Sequence, residues 1–150
     1  MAQDKEHKLK KLFHDWSGEV IAGIERITGS GSNRQYYRIS GKEESAIGVI
    51  GEDKSENRAF LTFTDHFKKH GLNVPEIYNS NEEAGIYLLQ DLGDVSLFGL
   101  LPGTSGSKKI SGEIELIYKR VLDDLINFQI IAGKDFDYSV CFPRDKFDRQ

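Results

Sequence analysis

The chain has 150 residues, 38% of them apolar and 29% Asp, Glu, Lys or Arg, with a formal net charge of -4. That is enough for about one domain with a buried core, and the interspersed charges form no basic block, which argues against nucleic acid or an anionic membrane surface as a partner. No run approaches the roughly 20 apolar residues of a membrane span, the opening Met1-Ala2-Gln3-Asp4-Lys5-Glu6 is too polar for a secretory signal, and the single Cys141 excludes an internal disulfide, so the cytoplasm is the expected compartment.

Leu9, Leu12, Phe13 and Trp16 fall on one helical face, predicting an amphipathic helix within Lys5 to Trp16. Ile24 to Thr28 and Gln35 to Ile39 read as strands around Gly29-Ser30-Gly31-Ser32-Asn33, and Ser45 to Ile50 follows a polar turn as a third. Glycine permits positive φ, while Ser and Asn add short hydrogen-bonding groups. The run therefore reads either as an ordinary hairpin turn or as a loop whose N–H groups converge on a phosphate. It is longer than a tight hairpin requires, which favours a working loop.

Asp53 and Glu56 form a capping-box pattern ahead of a helix with Ala59, Phe60, Phe63 and Phe67 on its buried stripe and Gly71 as its stop. Two further strands are expected at Glu76 to Asn79 and Gly85 to Gln90. Asp91-Leu92-Gly93-Asp94 cannot continue the strand and reads as a connector, followed by a brief helix or turn at Ser96 to Leu101 and a flexible loop at Pro102 to Lys109. Ile114, Ile117, Tyr118, Val121, Leu122, Leu125 and Ile126 predict a long helix whose apolar stripe needs partners on two sides. Asp145 to Gln150 look like the start of one more helix, so the chain is expected to stop inside an element. His66 and His70 are spaced to hold a metal on a helix face, but no third ligand is near in sequence and exposed helix polarity explains them. The expected fold class is α+β, a five-stranded antiparallel sheet with one inserted helix. Residues 1–23 form the lead-in, 24–93 the sheet lobe and 94–150 the start of a second, incomplete lobe.

Three ordered motifs carry a resemblance: Gly29-Ser30-Gly31-Ser32-Asn33-Arg34-Gln35-Tyr36-Tyr37-Arg38, Gly71-Leu72-Asn73-Val74-Pro75-Glu76-Ile77 and Leu88-Leu89-Gln90-Asp91-Leu92-Gly93-Asp94. Together they resemble the aminoglycoside phosphotransferase family of small-molecule kinases, closest to the bacterial branch that includes anomeric kinases of N-acetylmuramate and N-acetylglucosamine. The resemblance implies a protein-kinase-like amino-terminal lobe and the first helices of a carboxyl-terminal lobe. It implies an ATP-dependent phosphotransferase whose partners are ATP and a small-molecule acceptor, a sugar or amino sugar hydroxyl.

On this resemblance Ser30, Gly31, Ser32, Asn33 and Arg34 cover the ATP phosphates, and Gln90, Asp91, Leu92 and Gly93 offer main-chain groups to adenine. The family plan also places a Lys on the third strand, paired with a Glu on the next helix. The strand from Ala46 to Gly51 has no Lys, and Glu56 holds the helical address of that Glu without an evident partner. Lys54, the favoured substitute, and Arg38 are the two cations that could take its place. Asp91 and Asp94 are read as caps or solvent-facing groups, not as an acid/base pair. The catalytic Asp and the Mg2+ ligands of the family follow the long helix, and no matching segment occurs here. The chain itself is thus expected to hold no catalytic residue, to lack kinase activity, to bind ATP weakly if at all, and to leave Mg2+ to ligands beyond residue 150. Two rivals stand beside this reading: a kinase-like scaffold or regulatory module without catalysis, which the missing strand Lys favours, and an unrelated α+β binding module whose Gly/Ser run is only a turn.

Overall fold

The computed structural model describes residues 2–28, 33–100 and 112–144, with only the main chain for 2 and 3. Ser30, Gly31 and Ser32, the 102–109 loop and the 145–150 segment lie outside the described residues. The chain runs α1 (Ala2–Ser17), β1 (Gly23–Ile27), β2 (Gln35–Ser40), β3 (Ser45–Ile50), α2 (Lys54–Lys69), β4 (Ile77–Asn81) and β5 (Ile86–Leu89). A short 3-10 turn at Phe98–Leu100, helix α3 (Gly112–Ile126), a wider π turn at Asn127–Ile131 and a 3-10 turn at Tyr138–Val140 complete the order. All five expected strands and the inserted helix are present, with ends shifted by a residue or so.

The chain divides into two compact units: Met1–Asp65 with Val74–Asp91 and Asp137–Gln150, and His66–Asn73 with Leu92–Phe136. The first contains a five-stranded antiparallel sheet in the order β1-β2-β3-β5-β4. Alternation along each strand gives the sheet two faces. Ile39, Ala46, Ile50, Ile86 and Leu88 face α1 and pack with its Leu9, Leu12 and Phe13. The Trp16 ring stacks on Tyr78 of β4 at 4.1 Å between centroids, so the helix is held at its far end as well. Val49, Tyr87 and Leu89 form the opposite face with Tyr36, Ile47 and Ile77, packed by Phe60 and Leu61 of α2. Every residue of β5 is buried, which is why its sequence Ile-Tyr-Leu-Leu shows no polar alternation.

Asp53 caps α2 as expected: its Oδ1 accepts from the N–H groups of Ser55 at 2.8 Å and Glu56 at 3.0 Å. The other half of the capping box is replaced, because the Glu56 carboxylate turns to Arg34 instead of back to the cap.

A second local anchor holds the β2–β3 turn. The Glu19 carboxylate accepts from the main-chain N–H groups of Lys42 at 2.7 Å, Glu43 at 3.2 Å and Glu44 at 3.3 Å. Desolvation pushes its pKa up, but these N–H donors, which favour the ionised form, together outweigh it, and the pKa lies below the ordinary 4.5. A carboxyl depressed in the folded state stabilises it above the unfolded pKa, and that contribution disappears as pH falls through the folded value. Glu19→Gln is therefore expected to be less stable than wild type near neutral pH, with the gap closing as the pH falls below the ordinary 4.5. Urea melts across that range check it, and a gap that is constant with pH would contradict it.

In the second unit, His66 Nε2 lies 2.7 Å from the Ala132 carbonyl and His70 Nδ1 lies 2.9 Å from the His66 carbonyl. A carbonyl only accepts, so His66 Nε2 and His70 Nδ1 each carry the hydrogen; His66 ties the end of α2 to the segment after α3, and His70 closes the last turn of α2. Phe67 adds edge-on contact with Phe128 at 4.9 Å and stacks on Phe136 at 5.9 Å. Leu116, Leu122, Leu125 and Ile126 of α3 remain exposed. Among the described residues no helix is long and apolar enough to cross a membrane.

Candidate functional site

Residues 34, 36 and 38 share one side of the strand register, so Arg34, Tyr36 and Arg38 face the same way as Val49, Ile47 and Leu89. This is the face that α2 covers in part, and it carries one guanidinium just before β2 and another on β2 itself.

At the loop end, Arg34 Nη2 donates to the Glu56 carbonyl at 3.1 Å and lies 3.3 Å from the Glu56 carboxylate. The guanidinium carbon sits 5.2 Å from the centre of the Phe60 ring, close enough for the ring's negative face to attract it. Phe60 in turn stacks on Tyr87 at 5.4 Å. Burial pushes the Tyr87 phenol well above its usual range; the nearby Arg34 charge opposes this, while Tyr36 and Glu56 add to it. The Arg34 side chain is only 11% exposed and that of Glu56 38%, so the charge is fixed in place.

At the other end, Arg38 grips Asp91 with a two-pronged contact, Nε to Oδ2 at 2.7 Å and Nη2 to Oδ1 at 3.2 Å. Arg38 lies opposite Ile47, and Ile47 opposite Leu89, so the pair reaches across β3 to the residues that leave β5. The Gln90 N–H donates to the Glu76 carbonyl at 2.9 Å, and Gln90 Oε1 accepts from the Glu76 N–H at 3.3 Å. Gln90 is thus pinned to the segment that enters β4, and its main-chain donor is spent. Three residues lie between the two arginines, which puts their Cα atoms about 13 Å apart at the usual strand rise.

The structure assigns Glu56 a partner that reading the sequence did not supply. Arg34, which the sequence groups with the Gly/Ser run, holds Glu56. Arg38 is committed to Asp91, and Lys54 is exposed and lines a shallow recess of about 280 Å³ with Ser55, Arg58, Glu82 and Glu83. Strand parity was the available signal, because it puts Arg34 and Tyr36 on the side where an inserted helix must pack. Asn33 is an exposed bend beside Arg34. Leu92 and Gly93 belong to the second unit, Leu92 exposed and Gly93 in a left-handed conformation with φ +77°. A larger groove of about 480 Å³ lies elsewhere, lined by Lys8, Lys11, Leu12 and Asp15 of α1 and by Asn81, Glu83 and Ala84, with charges of both signs and no convergent donor set.

No protein-family model matches the chain, and no curated protein matches it significantly.

Proposed function

We propose that the first unit is the ATP-binding lobe of a phosphotransferase that acts on a small-molecule hydroxyl, a sugar or amino sugar being the acceptor class that the sequence motifs suggest. The observation that carries this reading is the Arg34–Glu56 pair. In the kinase-like plan a strand cation held by a helix carboxylate grips the nucleotide phosphates. Here β3 offers only Ser45, Ile47 and Val49 to that face, and the cation comes instead from the residue before β2, next to the Gly/Ser run. A guanidinium suits this role, since it is always charged and its planar fork matches two phosphate oxygens at once. Glu56 and the Phe60 ring hold it oriented before any ligand arrives, which limits the ordering cost of binding. The absent strand Lys therefore ceases to favour a scaffold.

Strand order β1-β2-β3-β5-β4 with α2 inserted between β3 and β4 also supports the kinase-like reading. Between the two arginines Tyr36 and Ile47 are half-buried above the buried Val49 and Leu89, and they offer apolar surface to a purine ring. Asn33 and Arg34 stand at the phosphate end and Gln90 and Asp91 at the base end. Among the described residues no group of three His, Cys, Asp or Glu is placed to bind a metal ion, and Mg2+ is assigned to none of them.

Calorimetric titration with Mg-ATP tests the proposal. Arg34→Ala is expected to weaken binding about tenfold or more, the scale of a lost charged hydrogen bond, and Arg34→Lys to recover only part of it. An Arg34→Ala protein with native circular dichroism and unchanged affinity would overturn it.

A further inference from the structure

We infer that Arg38 is a positioning residue that makes the site select adenine over guanine by masking the carboxylate of Asp91. The inference rests on the nucleotide-binding reading above and adds to it the identity of the base. Asp91 is the acidic side chain two residues past β5 on the face proposed to hold the purine, and it is only 13% exposed. A carboxylate in such a place, left free, is a ready acceptor for the two adjacent N–H donors of guanine, N1–H and the N2 amino group. Adenine presents no such pair: its N1 is an acceptor, and a carboxylate facing it meets lone pair against lone pair.

The two oxygens of Asp91 are instead taken by Arg38, one by Nε and the other by Nη2. A two-pronged pair of this kind fixes the carboxylate plane as well as its position, which a single contact does not. The adjacent donor is committed too, since the Gln90 N–H points at the Glu76 carbonyl. With the carboxylate withheld, guanine loses the partner that its N1 and N2 hydrogens require and pays to leave them unmatched, whereas adenine loses nothing. Arg38 touches neither base in this scheme; it acts through Asp91.

The test compares Mg-ATP and Mg-GTP titrations of the same chain and reads their ratio of affinities. Wild type is expected to favour ATP. Arg38→Met, which keeps the bulk over Ile47 and frees the carboxylate, is expected to shift the ratio toward GTP by about tenfold. The double variant Arg38→Met with Asp91→Asn is expected to give up that GTP gain, because the amide no longer offers two acceptors. Arg38→Lys, a point charge that cannot fork, is expected to fall between wild type and Met. A purely structural role would weaken both nucleotides alike and leave the ratio unchanged, and that outcome in a folded Arg38→Met or Arg38→Lys protein overturns the inference while leaving the ATP-binding reading intact. A wild-type chain that binds neither nucleotide overturns both.

Discussion

Phe13→Ala is expected to destabilise the protein by about 3–5 kcal/mol, the usual cost of emptying an aromatic site in a core that cannot collapse. Phe13 has 0% exposure and sits with Leu9 and Leu12 against Ile39, Ala46, Ile86 and Leu88. Its ring meets Trp16 edge-on at 5.6 Å, so the deletion also loosens the stack of Trp16 on Tyr78. Urea denaturation against Val20→Ala, a site 82% exposed and expected to change stability by under about 0.5 kcal/mol, isolates the core effect. A loss below about 1 kcal/mol at Phe13 would mean that α1 is an appendage and not the cover of the sheet.

Gly85→Ala is the second large effect, and it acts through the backbone. Gly85 has φ +68°, and a Cβ there would collide with the Gly51 carbonyl oxygen. The Gly51 N–H donates to the Gly85 carbonyl at 2.9 Å, and Asn57 Nδ2 donates to the Gly51 carbonyl at 3.0 Å with Asn57 only 2% exposed. The β4–β5 turn, the exit of β3 and the first turns of α2 are thus joined at one point. The left-handed backbone alone costs a non-glycine residue about 1–3 kcal/mol, and displacing the Gly51 carbonyl adds about 1–3 kcal/mol for buried groups left unmatched. Because α2 carries Glu56, the variant should lose ATP affinity along with thermal stability. A Gly85→Ala protein that melts with wild type would show that the turn opens at no cost.

The strands, α1 and α2 were legible because each carries a period and clear punctuation: Leu9, Leu12, Phe13 and Trp16 at helical spacing, Asp53 as a cap, and turn residues at Gly41 to Glu44 and Glu82 to Ala84, although Ser80 and Asn81, which also read as turn, belong to β4. That α1 would cover the sheet was less visible, since periodicity shows which side of a helix is apolar and not what it meets. Pairing among charged residues was the least legible. Arg34 and Glu56 lie 22 positions apart and Arg38 and Asp91 53 apart. Its place just past β3 favoured Lys54 as the substitute cation and left Glu56 without a partner, whereas the packing of α2 brings Glu56 to Arg34. The Glu19 anchor on the β2–β3 turn was invisible for the same reason, being a side chain that meets main-chain donors 23 to 25 residues away.

One face of the sheet, from Arg34 to Asp91, is thus proposed to receive a purine nucleotide. Titrating the 15N-labelled chain with Mg-ATP and following its amide shifts tests this most directly. Saturable changes are expected at Arg34, Tyr36, Arg38, Ile47 and Asp91, with residues facing α1 such as Ile39 and Leu88 unmoved. Saturable shifts confined to the α1 side, or none at millimolar ATP, would contradict it.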